Sequence, residues 1–187
     1  ALTSRMPGNV KPRQRAGGYE LELANMPPFE SEGFMPPEED YKPQIRFVYG
    51  GTEISTPEKF WEKAGRQWNA EAEHFIGRHR EIAEEAARVV GGESDPIKKL
   101  RKLYARAQEI RNLSYERERT EQEEKKENLR PNQNAADVLA HGYGDRDDVG
   151  RVFVALARAA GLDASILRTS DRSARFFDRG LLSTRQL

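Results

Sequence analysis

The chain of 187 residues contains no cysteine, which excludes disulfides, thiolate nucleophiles and cysteine metal sites. Nor does it carry an excess of either charge: 31 Lys plus Arg balance 31 Asp plus Glu. Nucleic-acid phosphates are met by a basic excess, so no nucleic-acid partner is expected. No apolar run approaches the ~20 residues of a membrane-spanning helix, so no span is expected either. The opening stretch ALTSRMPGNVKPRQRAGG has no initiator Met and no apolar signal-peptide core, and it reads as the start of a processed or excised piece. Hydrophobic residues make up 36% and charged residues 33%, a balance that suits long solvated helices more than a thick β-sandwich.

Familiar cofactor motifs are also missing. Around Gly142, Tyr143 and Gly144 there is neither GxGxxG nor GxxxxGK[ST], so no phosphate cradle is read there. His74 and His79 are five residues apart, which does not place them on one helical face, and no HExxH exists. The acids of DRDDVG place Gly150 sixth from Asp145, as in a calcium loop. Yet Val149 stands at a ligand position, and Leu156 where the closing glutamate belongs. Asp145, Asp147 and Asp148 read better as a helix cap and a dipole-matched first turn. No metal and no cofactor are expected.

What is present is periodicity. GYELELANM alternates, with Tyr19, Leu21 and Leu23 on one face, and predicts a strand over 18–24. Proline pairs then mark an extended connection, and QIRFVYGG predicts a strand over 44–50. Trp61, Ala64, Trp68, Ala72, Phe75, Ile82, Ala86 and Val89 keep the three-and-four spacing of one helix over 57–90. Asp95 or Ser94 caps a helix over 96–112 whose apolar face is Ile97, Leu100, Tyr104, Ala107 and Ile110. The charged run after Tyr115 is a solvated connection, helical in part. Helices follow over 134–141, capped by Asn132 or Asn134, and over 147–160, stopped by Gly161. A strand is expected over 163–169, and the last stretch, DRSARFFDRGLLSTRQL, is loop-like. The fold class is α+β.

Within NAADVLAHGYGDRDDVGRVFVALARAAGLDASILRTSDR lies a pattern of short helix, glycine-x-glycine-aspartate, amphipathic helix, glycine and strand. It resembles the transglutaminase-like superfamily, of papain-like topology. Gly142, Gly144, Asp145 and Asp148 match the family's turn, and Ala155, Leu156, Arg158, Ala159, Gly161 and Ala164 match the helix and its exit. DPIKKLRKLYARAQEIRNLSYE is similar to the helix that precedes the family's I-x-Y element. YELELANMPPFESEGFMPPEEDYKPQIRFVY resembles the end of a β-rich domain of unknown function (the DUF3857 type) that precedes such modules in bacterial secreted proteins.

Residues 1–17, basic, polar and turn-rich, read as a flexible arm or linker. The resemblance implies the last strands of the β domain at 18–52 and the helical N-terminal part of a transglutaminase-like domain at 53–187, cut before its end. The family's nucleophilic cysteine would fall at Arg146, with histidine and aspartate partners on strands after residue 187. A cysteine at a helix start gains thiolate character. An arginine stays protonated and has no acceptor. The leading expectation is therefore a catalytically inactive module that binds a polypeptide or envelope partner. Its cleft would be formed by His141, Tyr143, Asp145, Arg146 and Asp148, in a periplasmic or extracellular setting. The N-terminal strands, lacking evident partners, suggest a homodimer or cover by the chain's own helices. The alternatives are an amidase or peptidase using Ser170, Ser173 or Asp148 as nucleophile, and a purely architectural segment.

Overall fold

Pro57, at the first turn of a helix where its missing N–H costs nothing, opens α1 (Pro57–Ile76). The computed structural model describes residues 2–6, 10–47 and 56–187, and its architecture is α+β, with six α-helices and a few short strands. The chain divides into two compact units, Arg66–Leu167 and a second made of Ala1–Gly65 with Arg168–Leu187.

The helix expected over 57–90 is in fact two. At Gly77 the backbone turns to φ +50°, and α2 (Arg80–Val90) begins only after His79. The positive φ favours glycine, and a Cβ at residue 77 would lie 2.6 Å from His79 Nε2, so that ring would have to shift. The apolar spacing runs on through the break, which is why periodicity alone joins the two helices.

α3 (Pro96–Gln108) is capped by Asp95, which accepts from the amides of Ile97 and Lys98 at 2.8 and 3.0 Å. It ends four residues before the expected 112, because Arg111–Asn112 form a strand, β5, parallel to β6 (Tyr143–Gly144). Its covered face differs in part from the expected one. Ala107, and Ile110 just past the helix end, are buried as expected and Leu103 joins them, while Ile97, Leu100 and Tyr104 are exposed. α4 (Glu121–Lys126) lies in the charged connection and carries a full capping box between Thr120 and Glu123. The connection is tied down by Arg–Glu pairs: Arg111 bonds Glu116 and Glu127, and Arg119 bonds the same two acids. α5 (Ala135–His141) is capped by Asn134, and α6 (Arg146–Ala159) by Asp145.

α6 is the centre of this unit and packs on α2, α3 and α5. Its Val152, Val154, Ala155, Leu156 and Ala157 are buried among Phe75, Ile82, Ala86, Leu103 and Val138. Gly161 closes it at φ +81°, with Leu162 N bonded back to Ala157 O at 3.0 Å. Arg158, in the matched helix exit, forks onto Glu73 at 2.7 and 2.9 Å and donates Nε to Ala164 O at 2.8 Å. It thus joins the end of α1, the end of α6 and the segment after Gly161. That segment is extended and alternates in burial at 162–165, but it is not the strand expected over 163–169. Among the described residues no strand lies beside it to complete a ladder.

In the other unit, β1 (Leu2–Arg5) pairs antiparallel with β4 (Gln44–Phe47), and β2 (Arg13–Arg15) with β3 (Gly18–Glu20). The stretch expected as an arm thus supplies two strands. The strand expected over 18–24 stops at Glu20, because the next opposing residue is Pro12, which has no N–H for the ladder. Residues 48–50 of the second expected strand lie outside the described residues. The C-terminal stretch is a loop with one 3-10 turn, Thr184–Gln186. The buried Gln186 bonds the backbone of Asp178 and Leu181, and the Trp61 indole N–H donates to Arg179 O at 2.9 Å. Among the described residues no helix is long and apolar enough to cross a membrane.

Candidate functional site

The link from α5 to α6 is four residues long, and each has a distinct task. Gly142 takes φ +75° and returns its amide to Val138 O at 2.9 Å, ending α5. Tyr143 carries β6 alongside β5. Gly144 is buried where a Cβ would meet Asp148 Cβ at 2.8 Å and Val138 Cγ1 at 3.3 Å. Asp145 then caps α6, its Oδ1 accepting from the Asp148 amide at 2.7 Å. The glycine-x-glycine-aspartate pattern is therefore an architectural device that presents the first turn of α6.

Three of the five expected site residues meet at one side chain, Asn132. Its Oδ1 lies 2.7 Å from His141 Nδ1, and its Nδ2 donates to Asp148 Oδ2 at 3.0 Å and to Tyr143 O at 3.1 Å. Because Nδ2 serves both oxygens, Oδ1 is the acceptor and His141 carries its proton on Nδ1. The rings of His141 and Tyr143 stack with centroids 5.4 Å apart. The Tyr143 hydroxyl accepts from the Arg130 amide at 2.6 Å and donates to its carbonyl. These contacts fix the approach to α6 from one side. Asn132 was legible only as one of two candidate caps; its position as a hub follows from the tertiary fold.

Arg146 stands apart from that cluster. It is exposed at the first helical position of α6, and its amide donates to Ser114 Oγ at 2.9 Å. Asp145 is engaged as the cap, and Asp148 pairs with Arg151 at 3.9 Å; neither forms an ion pair with Arg146. Ser114 and Tyr115 belong to a 3-10 turn, Leu113–Tyr115, that follows β5, and Tyr115 is 80% exposed. Ser114 was not among the expected site residues. Nothing in its type or spacing announces it, because the parallel β5–β6 pairing brings it to α6.

The remaining candidate nucleophiles lie in less reactive settings. The Ser173 hydroxyl donates to Asp171 at 2.6 Å, and this bond holds the Asp171 carboxyl below its usual range. A carboxylate so held is a weak base. Ser170 is buried. Asp148 is bound by Asn132. All three histidines lie between residues 66 and 167, in the other unit from Ser170 and Ser173. Among the described residues no group of three or more His, Asp or Glu side chains is placed to hold a metal ion.

This geometry of capped helix, paired strands and glycine link lies inside a segment, residues 83–174, that matches the family model of the transglutaminase-like superfamily. Residues 83–174 form a transglutaminase-like domain. No curated protein and no solved structure matches the chain. The match covers α3, the β5–β6 pair, α5 and α6, the elements that build the link just described. α2 enters from its fourth residue.

Proposed function

We propose that this transglutaminase-like domain is catalytically inactive and works by binding a polypeptide, as part of a larger secreted bacterial protein. The observation that carries the reading is Arg146 at the first turn of α6, exposed and with its amide already taken by Ser114. In the family this helix start bears a cysteine whose thiolate the dipole favours. A guanidinium is protonated at any ordinary pH and offers no lone pair for attack. It is, however, a planar donor fork well suited to a carboxylate or carbonyl of a bound chain. The likeness of residues 18–52 to the end of a β domain that precedes such modules in secreted proteins supports an envelope setting. The two-stranded pairs β1–β4 and β2–β3 support strand addition from a second copy, since open edges accept strands.

A second reading, an amidase with a serine nucleophile, draws on the Ser173–Asp171 hydrogen bond. A fluorophosphonate probe followed by peptide mass spectrometry separates the two. The inactive reading expects no labelled serine. Stoichiometric label on Ser173 or Ser170 would overturn it.

A further inference from the structure

We propose that the face shared by α3 and α6 binds an acidic amphipathic helix of a partner polypeptide. The inference rests on the reading of this domain as a binder and names the class of its partner.

α3 has the composition of a docking helix. Over Pro96–Gln108 it carries Lys98, Lys99, Arg101, Lys102 and Arg106 and no acid. Three of these cations are used within the unit. Lys102 donates to Val90 O at 3.1 Å, Lys99 reaches Ala160 O at 3.5 Å, and Arg106 pairs with Glu85. Lys98 and Arg101 are exposed and form no ion pair among the described residues. Along one side of them runs an uncovered apolar strip: Ile97 is 58%, Leu100 38% and Tyr104 55% exposed. Steps of three and four residues put the three on one face. Leu103 and Ala107, with Ile110 just past the helix end, already hold α3 to the core.

α6 extends the strip. The Tyr104 ring meets Phe153 edge-on at 5.8 Å. Arg146, Gly150 and Phe153 are spaced four and seven residues apart and so share one face of α6. Nothing lies within 4 Å of where a Cβ on Gly150 would sit, which leaves a dip between the cation at the helix start and the aromatic pair. A dip beside a ridge receives a convex side chain, whereas a bilayer presents a flat front. From Ile97 to Tyr104 the strip is about 10 Å long, at ~1.5 Å per residue. That is two turns, the reach of anchors at i, i+3 or i+4, and i+7 on a docked helix. With Lys98, Arg101 and Arg146 around it, the complementary helix carries acids beside its apolar stripe.

The test is a fluorescence-anisotropy titration of the whole chain with labelled helical peptides of about 20 residues. The peptides share one leucine stripe and differ only in net charge, about −4 or about +4. The acidic peptide is expected to bind at least about tenfold tighter and to weaken steeply with salt. Leu100→Glu should abolish that binding. The pair Lys98→Glu with Arg101→Glu should reverse the charge preference, with circular dichroism unchanged in every variant. Equal binding of both peptides, indifference to these substitutions, or binding to anionic lipid vesicles in place of peptide would overturn the proposal. Amide turnover by the same chain is a separate readout: it would refute the inactive reading while leaving the peptide preference in place.

Discussion

The Arg146 amide and the Ser114 hydroxyl share a 2.9 Å hydrogen bond, and through it the turn after β5 closes onto the start of α6. The first N–H groups of a helix lack partners inside it. Ser114 satisfies one, Asp145 another. The first turn of α6 is thus completed by backbone contacts that do not depend on which side chain residue 146 bears.

Arg146→Ala should therefore change stability by less than about 1 kcal/mol, as exposed substitutions do, because the amide bond to Ser114 survives. Ser114→Ala removes the acceptor and should cost about 0.5–1.5 kcal/mol. Urea unfolding of the two variants beside the parent chain measures both. A larger loss for Arg146→Ala than for Ser114→Ala would mean that the guanidinium, not the amide, holds the turn.

Asn132→Ala should be more damaging than either. It leaves His141 Nδ1, Asp148 Oδ2 and the Tyr143 carbonyl without their common partner, at a cost of about 1–3 kcal/mol. The His141 imidazole resonances should shift in the NMR spectrum, since Nδ1 loses its acceptor. Unchanged imidazole shifts would show that Asn132 does not set the tautomer.

Gly144→Ala places a methyl 2.8 Å from Asp148 Cβ, within a packed link where overfilling costs about 1–3 kcal/mol. Gly150→Ala meets nothing within 4 Å and should be neutral or stabilising, by up to about 1 kcal/mol, through helix propensity. The opposite signs, read from thermal unfolding, distinguish a glycine required by packing from one required by nothing in the fold.

Glu85 supplies the pH dependence. Its bonds to Arg88 and to Arg106 hold its carboxyl down from the ordinary 4.5 to about 2, against the opposing effect of burial. A carboxylate whose folded value is depressed adds stability above its unfolded value and loses it as pH falls toward the folded one. Glu85→Gln should therefore destabilise by about 1–2 kcal/mol at neutral pH. The gap from the parent chain should narrow below 4.5 and close near 2. A gap independent of pH over that range would show that shape, not charge, makes the contact.

Much of this arrangement is written locally. Asp95, Asn134 and Asp145 announce their helices because a cap and the amides it accepts from lie within three residues in the chain. The glycine–aspartate link was legible for the same reason. The outward face of α3 was not. Ile97, Leu100 and Tyr104 have the same spacing as a buried stripe, and periodicity reports spacing without saying which of two adjacent stripes is covered. The break at Gly77 hid behind apolar residues that continue on both sides of it. The segment after Gly161 alternates as a strand does, yet a strand also needs a neighbour, and that is a property of the fold. Asn132 and Ser114 reach the site across 16 and 32 residues of chain, beyond any local signal.

The central claim is that a guanidinium at the start of α6 has ended catalysis and left a binding module. Ammonia release from a glutaminyl peptide, measured with the unmodified chain and with Arg146→Cys, tests it most directly. The account predicts no release above the protein-free rate from either, because the parent chain has no thiol and His141, the histidine nearest to residue 146 in the chain, is bonded through Nδ1 to Asn132 rather than to residue 146. Sustained release by the unmodified chain would contradict the account outright.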